Sequence, residues 1–264
     1  MSALVVIPTF MRTPADLDIT IQTLLSVRAT EPDVEILCVD DCSPAPALVD
    51  ALETHTEELN FWVTRQPENG GFSRAVNVGI SDAFERNLDV VLMNADIECL
   101  TPGWLKIMTE QLDTQGRPAS VVGALLIYPN GLIQHAGIFF SFLTRGFDHR
   151  YRFGPGELPE AQQACVCPVT GAFQFIRREA VQAIGMYDLD FRMGYEDVDF
   201  CLRVFESGRE CIYTPKVRAL HHESLFRGHG RADDKLNEWQ AKSAQTLMQK
   251  HARTNMSRFV TEIV

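Results

Sequence analysis

Carboxylates in this 264-residue chain collect where apolar runs stop. Val90, Val91, Leu92 and Met93 run straight into Asn94-Ala95-Asp96-Ile97-Glu98, and the apolar run over 34–39 ends at Asp40 and Asp41. In an extended segment alternate side chains share one side, so Asn94, Asp96 and Glu98 could present oxygens together. Such oxygens suit a hard divalent cation, Mg²⁺ or Mn²⁺, which keeps other positions for phosphate and water. A departing diphosphate needs that cation, because charge builds on it as its bond breaks. A second acidic group, Glu196, Asp197 and Asp199, follows Gly194-Tyr195. One of these carboxylates could act as a general base. An acidic first turn that favours the helix dipole is the plainer alternative. His221 and His222 close another apolar run.

The elements that must hold these residues alternate. Leu4, Val5, Val6 and Ile7 read as a buried strand ended by Pro8, and Leu17, Ile21, Leu24, Leu25 and Arg28 recur at helical spacing. Strands follow at 34–39, 61–63 and 90–93, with a helix from Ala75 to Phe84 after the Asn69-Gly70-Gly71 turn. Strand–helix alternation at these intervals predicts βαβ units and a mixed, mainly parallel sheet flanked by helices. Ligands of such sheets bind beyond the carboxyl ends of the strands, where Asp40, Asp41, Asn94 and Asp96 fall. An Asp there also caps turns and helices, but several converging ends favour a site. The second half reads as strands at 121–127 and 133–140 around Pro129-Asn130-Gly131, then a Gly- and Pro-rich loop or lid over 145–168. Strands at 172–176, 211–213 and 217–220, a helix at 198–205 and a last helix over 233–251 complete it. One domain over 1–230 is expected, divided into a half over 1–100 and a half over 101–230, with a helical tail over 231–264.

The formal charge is −11, from 24 Lys plus Arg against 35 Asp plus Glu, which disfavours a nucleic-acid binder. A local basic patch could still touch a membrane surface. No apolar run is long enough to span a bilayer, and the first ten residues lack the pattern of a secretory leader. Seven scattered cysteines suggest reduced thiols and a cytoplasmic setting. Cys165 and Cys167 read as core or loop thiols rather than a zinc site. His135 reads as a buried hydrogen-bonding residue rather than a catalyst.

VVIPTF, VDDCSP at Asp40, NGGFSRAVNVG from Asn69 and LMNADIECLTPGWL from Leu92 stand in one order with YPNGLIQHAG, VTGAFQFIRR, GYEDVDFCLRV and HHES. In that order, over roughly 4–230, the chain resembles the inverting nucleotide-sugar-dependent glycosyltransferases of the GT-A fold. That group includes rhamnosyl-, galactofuranosyl- and polysaccharide-building enzymes. The resemblance implies that Pro8, Thr9, Asp40, Asp41, Asn69, Gly70, Gly71, Arg74, Asn77, Asn94, Ala95 and Arg227 bind the donor. Asp41, with Asp40 beside it, would accept hydrogen bonds from the base. Arg74 and Asn77 would sit on a first helical turn near ribose or phosphate. Asp96 matches the metal-binding Asp of a DXD motif whose first position is here Asn94, also readable as a turn-stabilising amide. His221, or His222 after a one-residue slip, would complete the Mn²⁺ or Mg²⁺ site. Asp197 would be the base. Glu196, Thr170, Gly171 and Ala172 would face a glycan or glycolipid acceptor, and Asp199 would anchor the loop. Donor sugar and linkage are expected to depend on 145–168 and the tail.

Two other readings remain: an inactive relative serving as a sugar-binding or assembly subunit, and a sugar nucleotidyltransferase. The second normally carries a glycine-rich loop after the first strand, where this chain has Pro8-Thr9-Phe10-Met11-Arg12. No G-x-G-x-x-G marks a dinucleotide site.

Overall fold

The computed structural model describes residues 2–112, 118–191, 194–223 and 234–260. The first half runs β1 (Ala3–Thr9), α1 (Pro14–Thr30), β2 (Glu35–Asp40), α2 (Pro46–Glu53), α3 (Thr56–Leu59), β3 (Trp62–Arg65), α4 (Phe72–Glu85) and β4 (Asp89–Met93). Then come β5 (Ile97–Cys99), α5 (Trp104–Gln111), β6 (Ala119–Ile127), β7 (Ile133–His135), β8 (Ile138–Ser141), β9 (Gly146–His149), β10 (Cys165–Val166) and β11 (Phe173–Ile176). The chain finishes with α6 (Arg178–Ile184), α7 (Glu196–Glu206), β12 (Glu210–His221) and α8 (Asp234–Lys250).

One mixed, mainly parallel sheet carries the order β10-β12-β6-β11-β4-β1-β2-β3, with β5 on β12 and β7 on β6. β4, β1, β2 and β3 are mutually parallel, β11 runs antiparallel between β4 and β6, and β12 is parallel to β6. Period-2 alternation divides the apolar residues between the two faces. Leu4 and Val6 meet Ala75, Val76 and Ile80 of α4, while Val5 and Ile7 meet Leu24 and Val27 of α1. Every residue of β6 is buried, as in a central strand covered on both faces.

Several elements differ from the sequence reading, each for a local reason. On α1 the buried face is Ile19, Thr20, Thr23, Leu24 and Val27, and Leu25 is half exposed. The threonines bury because their hydroxyls have acceptors: Thr20 donates to the Asp16 carbonyl at 2.7 Å and Thr23 to the Ala95 carbonyl at 2.9 Å. The strand expected over 133–140 breaks into β7 and β8 at Gly137, whose φ is 94°. A Cβ there would lie 2.6 Å from Cys167 Sγ. The two strands expected at 211–213 and 217–220 are one, β12, with a register shift between Thr214 and Arg218. Within the expected loop over 145–168, β9 pairs with β8 and β10 with β12.

α8 is tied back onto α7 by a buried histidine. His251 Nδ1 lies 2.8 Å from Glu206 Oε1, and its Nε2 lies 2.9 Å from Asp199 Oδ1. With a carboxylate at each nitrogen, only the imidazolium satisfies both. Burial pulls the pKa down, but hydrogen bonds to Asp199 and Glu206 outweigh it and leave the pKa above the ordinary 6.5. A raised folded-state pKa gives stability that is complete below the unfolded value and is lost as pH rises through the folded one. His251→Gln should therefore destabilise by about 1–3 kcal/mol. The Tm gap to the parent should be widest below about pH 6.5 and narrow at higher pH, as differential scanning fluorimetry across pH would show.

Candidate active site

The site forms where β1, β2 and β4 end, and its first wall is a turn held at three points. The Asn94 N–H donates to the Ala172 carbonyl at 2.9 Å, and the Ala95 carbonyl accepts from Thr23. The Asp96 carbonyl accepts from the His222 N–H at 3.0 Å. Asn94 to Asp96 is thus a turn rather than an extended run, and only Ile97 onward is strand. That strand pairs antiparallel with the end of β12, Ile97 opposite His221. The register sets Asp96 Oδ1 3.2 Å from His221 Nε2, with both side chains almost wholly buried. His221 Nδ1 is buried with no hydrogen-bond partner among the described residues.

This donor set fits a divalent cation. One carboxylate oxygen and one imidazole nitrogen face each other, a combination that Mn²⁺ accepts. Among the described residues no three His, Cys, Asp or Glu side chains cluster to enclose an ion. A cation held by these two alone would keep room for phosphate oxygens and water, the habit of metals at nucleotide sites.

The second wall is the start of α7. Gly194 and Tyr195 are both left-handed, with φ of 79° and 68°. They turn the chain into the helix and bring Glu196 and Asp197 to its first turn. Asp197 Oδ2 accepts the Gly171 N–H at 3.0 Å, and Oδ1 accepts the Val198 N–H at 2.8 Å. Each oxygen has one fixed donor, so the carboxylate orientation is set by backbone.

The third wall is the glycine turn before α4. Asp41 Oδ1 accepts the Gly70 N–H and Oδ2 the Gly71 N–H, each at 2.8 Å, and Asn69 Nδ2 donates to the Asp41 carbonyl at 3.1 Å. Gly71 has φ of 86° as the N-cap of α4, which glycine allows without strain.

These walls enclose a cavity of about 880 Å³ that Thr9, Asp41, Asn94, Asp96, Asp197 and His221 all line. Thr9 Oγ1 and Gln134 Oε1 are buried in its lining with no partner among the described residues. Two histidines stand beside it. His135 is fully buried, and burial, then His149 and His221, hold its pKa well below the ordinary value. Burial also lowers that of His149, with Asp197 opposing the shift.

Residues 4–185 match the family described as Glycosyl transferase family 2. The chain belongs to that family. The match ends before Asp197 and His221, which the fold returns to the same cavity. An uncharacterised protein, y4gI of Sinorhizobium fredii, is 30% identical over 225 residues, 82% of this chain and 24% of the relative. The O-antigen biosynthesis protein RfbC of Myxococcus xanthus is 31% identical over 150 residues, 54% of this chain and 11% of the relative. The chain thus spans a quarter or less of those two. An N-acetylglucosaminyl-diphospho-decaprenol L-rhamnosyltransferase of Mycobacterium tuberculosis is 26% identical, over 77% of this chain and 71% of the relative. Among solved structures, GalNAc-T7 with UDP, GalNAc and Mn²⁺ superposes with a TM-score of 0.68 at 18% identity, over 87% of this chain and 44% of that one. The mannosyltransferase PcManGT of Pyrobaculum calidifontis, with GDP-Man and Mn²⁺, gives 0.58 at 14%, over 96% and 75%. The fold is the GT-A fold of these glycosyltransferases.

Of the expected site residues, Pro8, Thr9, Asp41, Asn69, Gly71, Asn94, Ala95, Asp96, Thr170, Gly171, Ala172, Glu196, Asp197 and His221 meet at the cavity. Other expected site residues do not line it. Asp40 is buried and accepts from the Ser43 N–H and hydroxyl. Arg74 pairs with Glu68 at 2.5 Å and lies over Gly70. Asn77, a turn further along α4 than expected, holds the Tyr187 backbone by both amide atoms at 2.8 and 2.9 Å. His222 Nε2 turns to Glu98 at 3.4 Å. Arg227 lies outside the described residues. Asp199 anchors α8 through His251 as well as pairing with Arg203 at 2.8 Å. The sequence reading missed Gln134, His149, Arg152, Glu223 and Trp239, all of which line the cavity. Trp239 belongs to α8, so the tail helix is part of the site wall.

Asp41→Ala removes the acceptor of two N–H groups and should destabilise the domain by about 2 kcal/mol. A lower urea midpoint with an unchanged m-value would register it.

Proposed function

We propose that this chain transfers a sugar from a nucleoside diphosphate sugar, UDP- or dTDP-linked, to a hydroxyl of a glycan or glycolipid, inverting the anomeric centre. The observation that carries this reading is the pairing of Asp96 with His221 at 3.2 Å in one cavity with the backbone-held Asp197. A volume near 880 Å³ suits a nucleotide sugar, and the buried Thr9 hydroxyl, unpartnered among the described residues, suits a polar ligand at the end of β1.

Asp96 and His221 would hold Mn²⁺ or Mg²⁺, which supplies charge neutralisation on the departing diphosphate. Asp197 takes the proton of the acceptor hydroxyl as its oxygen bonds to the anomeric carbon. The carbon–oxygen bond to the β-phosphate breaks in the same step, its electron pair leaving with the nucleotide. The Gly171 and Val198 amides keep the carboxylate oriented, and Glu196 holds acceptor hydroxyls. Thr170, Gly171 and Ala172 form the acceptor-side floor, and Asn69 and Gly71 the donor-side wall. The rhamnosyltransferase relative is named for a diphospho-decaprenol acceptor, so a polyprenyl-diphosphate-linked sugar is the acceptor class to try first. No helix among the described residues is long and apolar enough to cross a membrane, so such an acceptor would be met by peripheral contact.

Thermal stabilisation by UDP, dTDP, GDP and CMP, each with Mn²⁺ and with chelator, tests the donor site, since a ligand bound only to the folded state raises Tm. One nucleotide should stabilise in a metal-dependent way, and Asp96→Ala should abolish that shift. Stabilisation by none would overturn the reading. Asp197→Asn should keep the nucleotide shift and lower donor turnover by about 10²–10⁴-fold. Unaltered turnover would remove Asp197 as base.

A further inference from the structure

Two features of the cavity concern hydrogen-bond polarity at residues to which the resemblance gives no ligand role. Gln134 is 3% exposed and lines the cavity, yet its Oε1 has no partner among the described residues. A buried carbonyl left so keeps its full desolvation penalty, so a hydrogen-bond donor brought by a ligand would repair a real defect.

The neighbouring residue begins a short relay. His135 Nδ1 lies 2.8 Å from His149 Nδ1, with the two rings nearly perpendicular at 83°. Two ring nitrogens that close need one hydrogen between them. The other nitrogen of His135, Nε2, accepts the Gly137 N–H at 3.3 Å and the Thr170 N–H at 3.5 Å. It therefore carries no hydrogen, and the His135 proton sits on Nδ1 and is donated to His149. That makes His149 Nδ1 an acceptor and leaves the His149 hydrogen on Nε2, on the far side of the ring. His149 lines the cavity, as Asp197 does. The lowered pKa values of both rings agree with a pair that stays neutral.

We propose that His149 Nε2–H and Gln134 Oε1 form a donor–acceptor pair that binds hydroxyls of the sugar acceptor, with His135 as the positioning residue that fixes the His149 tautomer. This rests on the glycosyl-transfer reading above and adds to it a polarity that selects its acceptor. A hydroxyl can donate to the amide oxygen and accept from the imidazole, and a sugar offers several in fixed array. The acceptor, rather than the nucleotide, is the occupant because of what the relay is attached to. His135 accepts from Thr170, and the next residue, Gly171, holds Asp197. One stretch of backbone thus sets both the base and the recognition pair. The chain segment that supplies His149, β9, lies in the expected loop that the sequence reading linked to substrate choice.

The test is NMR on the whole protein with ¹⁵N-labelled histidine, with UDP and Mn²⁺ stabilisation measured in parallel. The free wild type should show His135 as the Nδ1–H and His149 as the Nε2–H tautomer. Methyl glycosides of rhamnose, glucose, galactose and N-acetylglucosamine are then titrated to high concentration with UDP and Mn²⁺ present. At least one should shift the His149 Nε2–H resonance. Gln134→Leu should raise that glycoside's apparent Kd at least tenfold, the persisting His135 Nδ1–H signal showing that the relay is still folded. His149 found as the Nδ1–H tautomer or as imidazolium would overturn the proposal. So would a silent His149 signal against all four glycosides, or a Gln134→Leu variant that binds as the parent does. If UDP and Mn²⁺ stabilise while the glycosides are silent, the recognition pair is wrong and the donor site stands. If they do not stabilise, the transfer reading itself fails.

Discussion

The facing of Asp96 and His221 depends on three residues of antiparallel pairing, β5 against the end of β12. Ile97 faces His221 across that ladder, and the Asp96 carbonyl takes the next amide, that of His222. Those backbone hydrogen bonds join a turn from the first half of the chain to the end of β12. Without them the carboxylate and the imidazole would belong to separate walls. Backbone pairing is a sound way to fix such a distance, because ladder geometry tolerates little slippage when one face of each strand is buried.

The same logic recurs around the cavity. Asp197 is oriented by amides of Gly171 and Val198, and the glycine turn by the carboxylate of Asp41. The Asn94 amide is bonded to the Ala172 carbonyl, next along from the Gly171 that holds Asp197. Main-chain groups set each functional side chain, so side chains at the rim can vary while the constellation keeps its shape. α8 adds a different restraint. Through His251 it grips Asp199, a residue of the same helix that begins with Glu196 and Asp197.

Much of this was legible in the sequence because strand ends carry local marks. A run of Val and Leu broken by Asn94 and Asp96, or Asp40 and Asp41 after 34–39, can be seen without knowing the fold. The fold class followed from strand–helix alternation. What escaped was set by tertiary contact. The resemblance put Arg74 and Asn77 near phosphate or ribose, but a distant backbone at Tyr187 claims the amide and Glu68 the guanidinium. Thr20 and Thr23 lie off the Leu17, Ile21, Leu24 and Leu25 pattern, yet their hydroxyls find carbonyls and bury. Gln134, His149 and Trp239 reach the cavity from β7, β9 and α8, none of which carries a strand-end mark. Gly137 splits a strand that periodicity alone would have run through.

Asp41 has both carboxylate oxygens engaged by the amides of Gly70 and Gly71. A ligand ring reaching this wall would meet only the lone pairs left over on those oxygens, so the edge offered to it is made largely of peptide groups and turn shape. Peptide groups are the same whatever residue bears them. Two chains of this kind could then keep an identical aspartate and glycine pair yet prefer different nucleotides, through a small change in how the turn is tilted. Retuning the donor by exchanging side chains at these positions would work against the grain of the molecule, and altering the turn's length or entry angle would work with it.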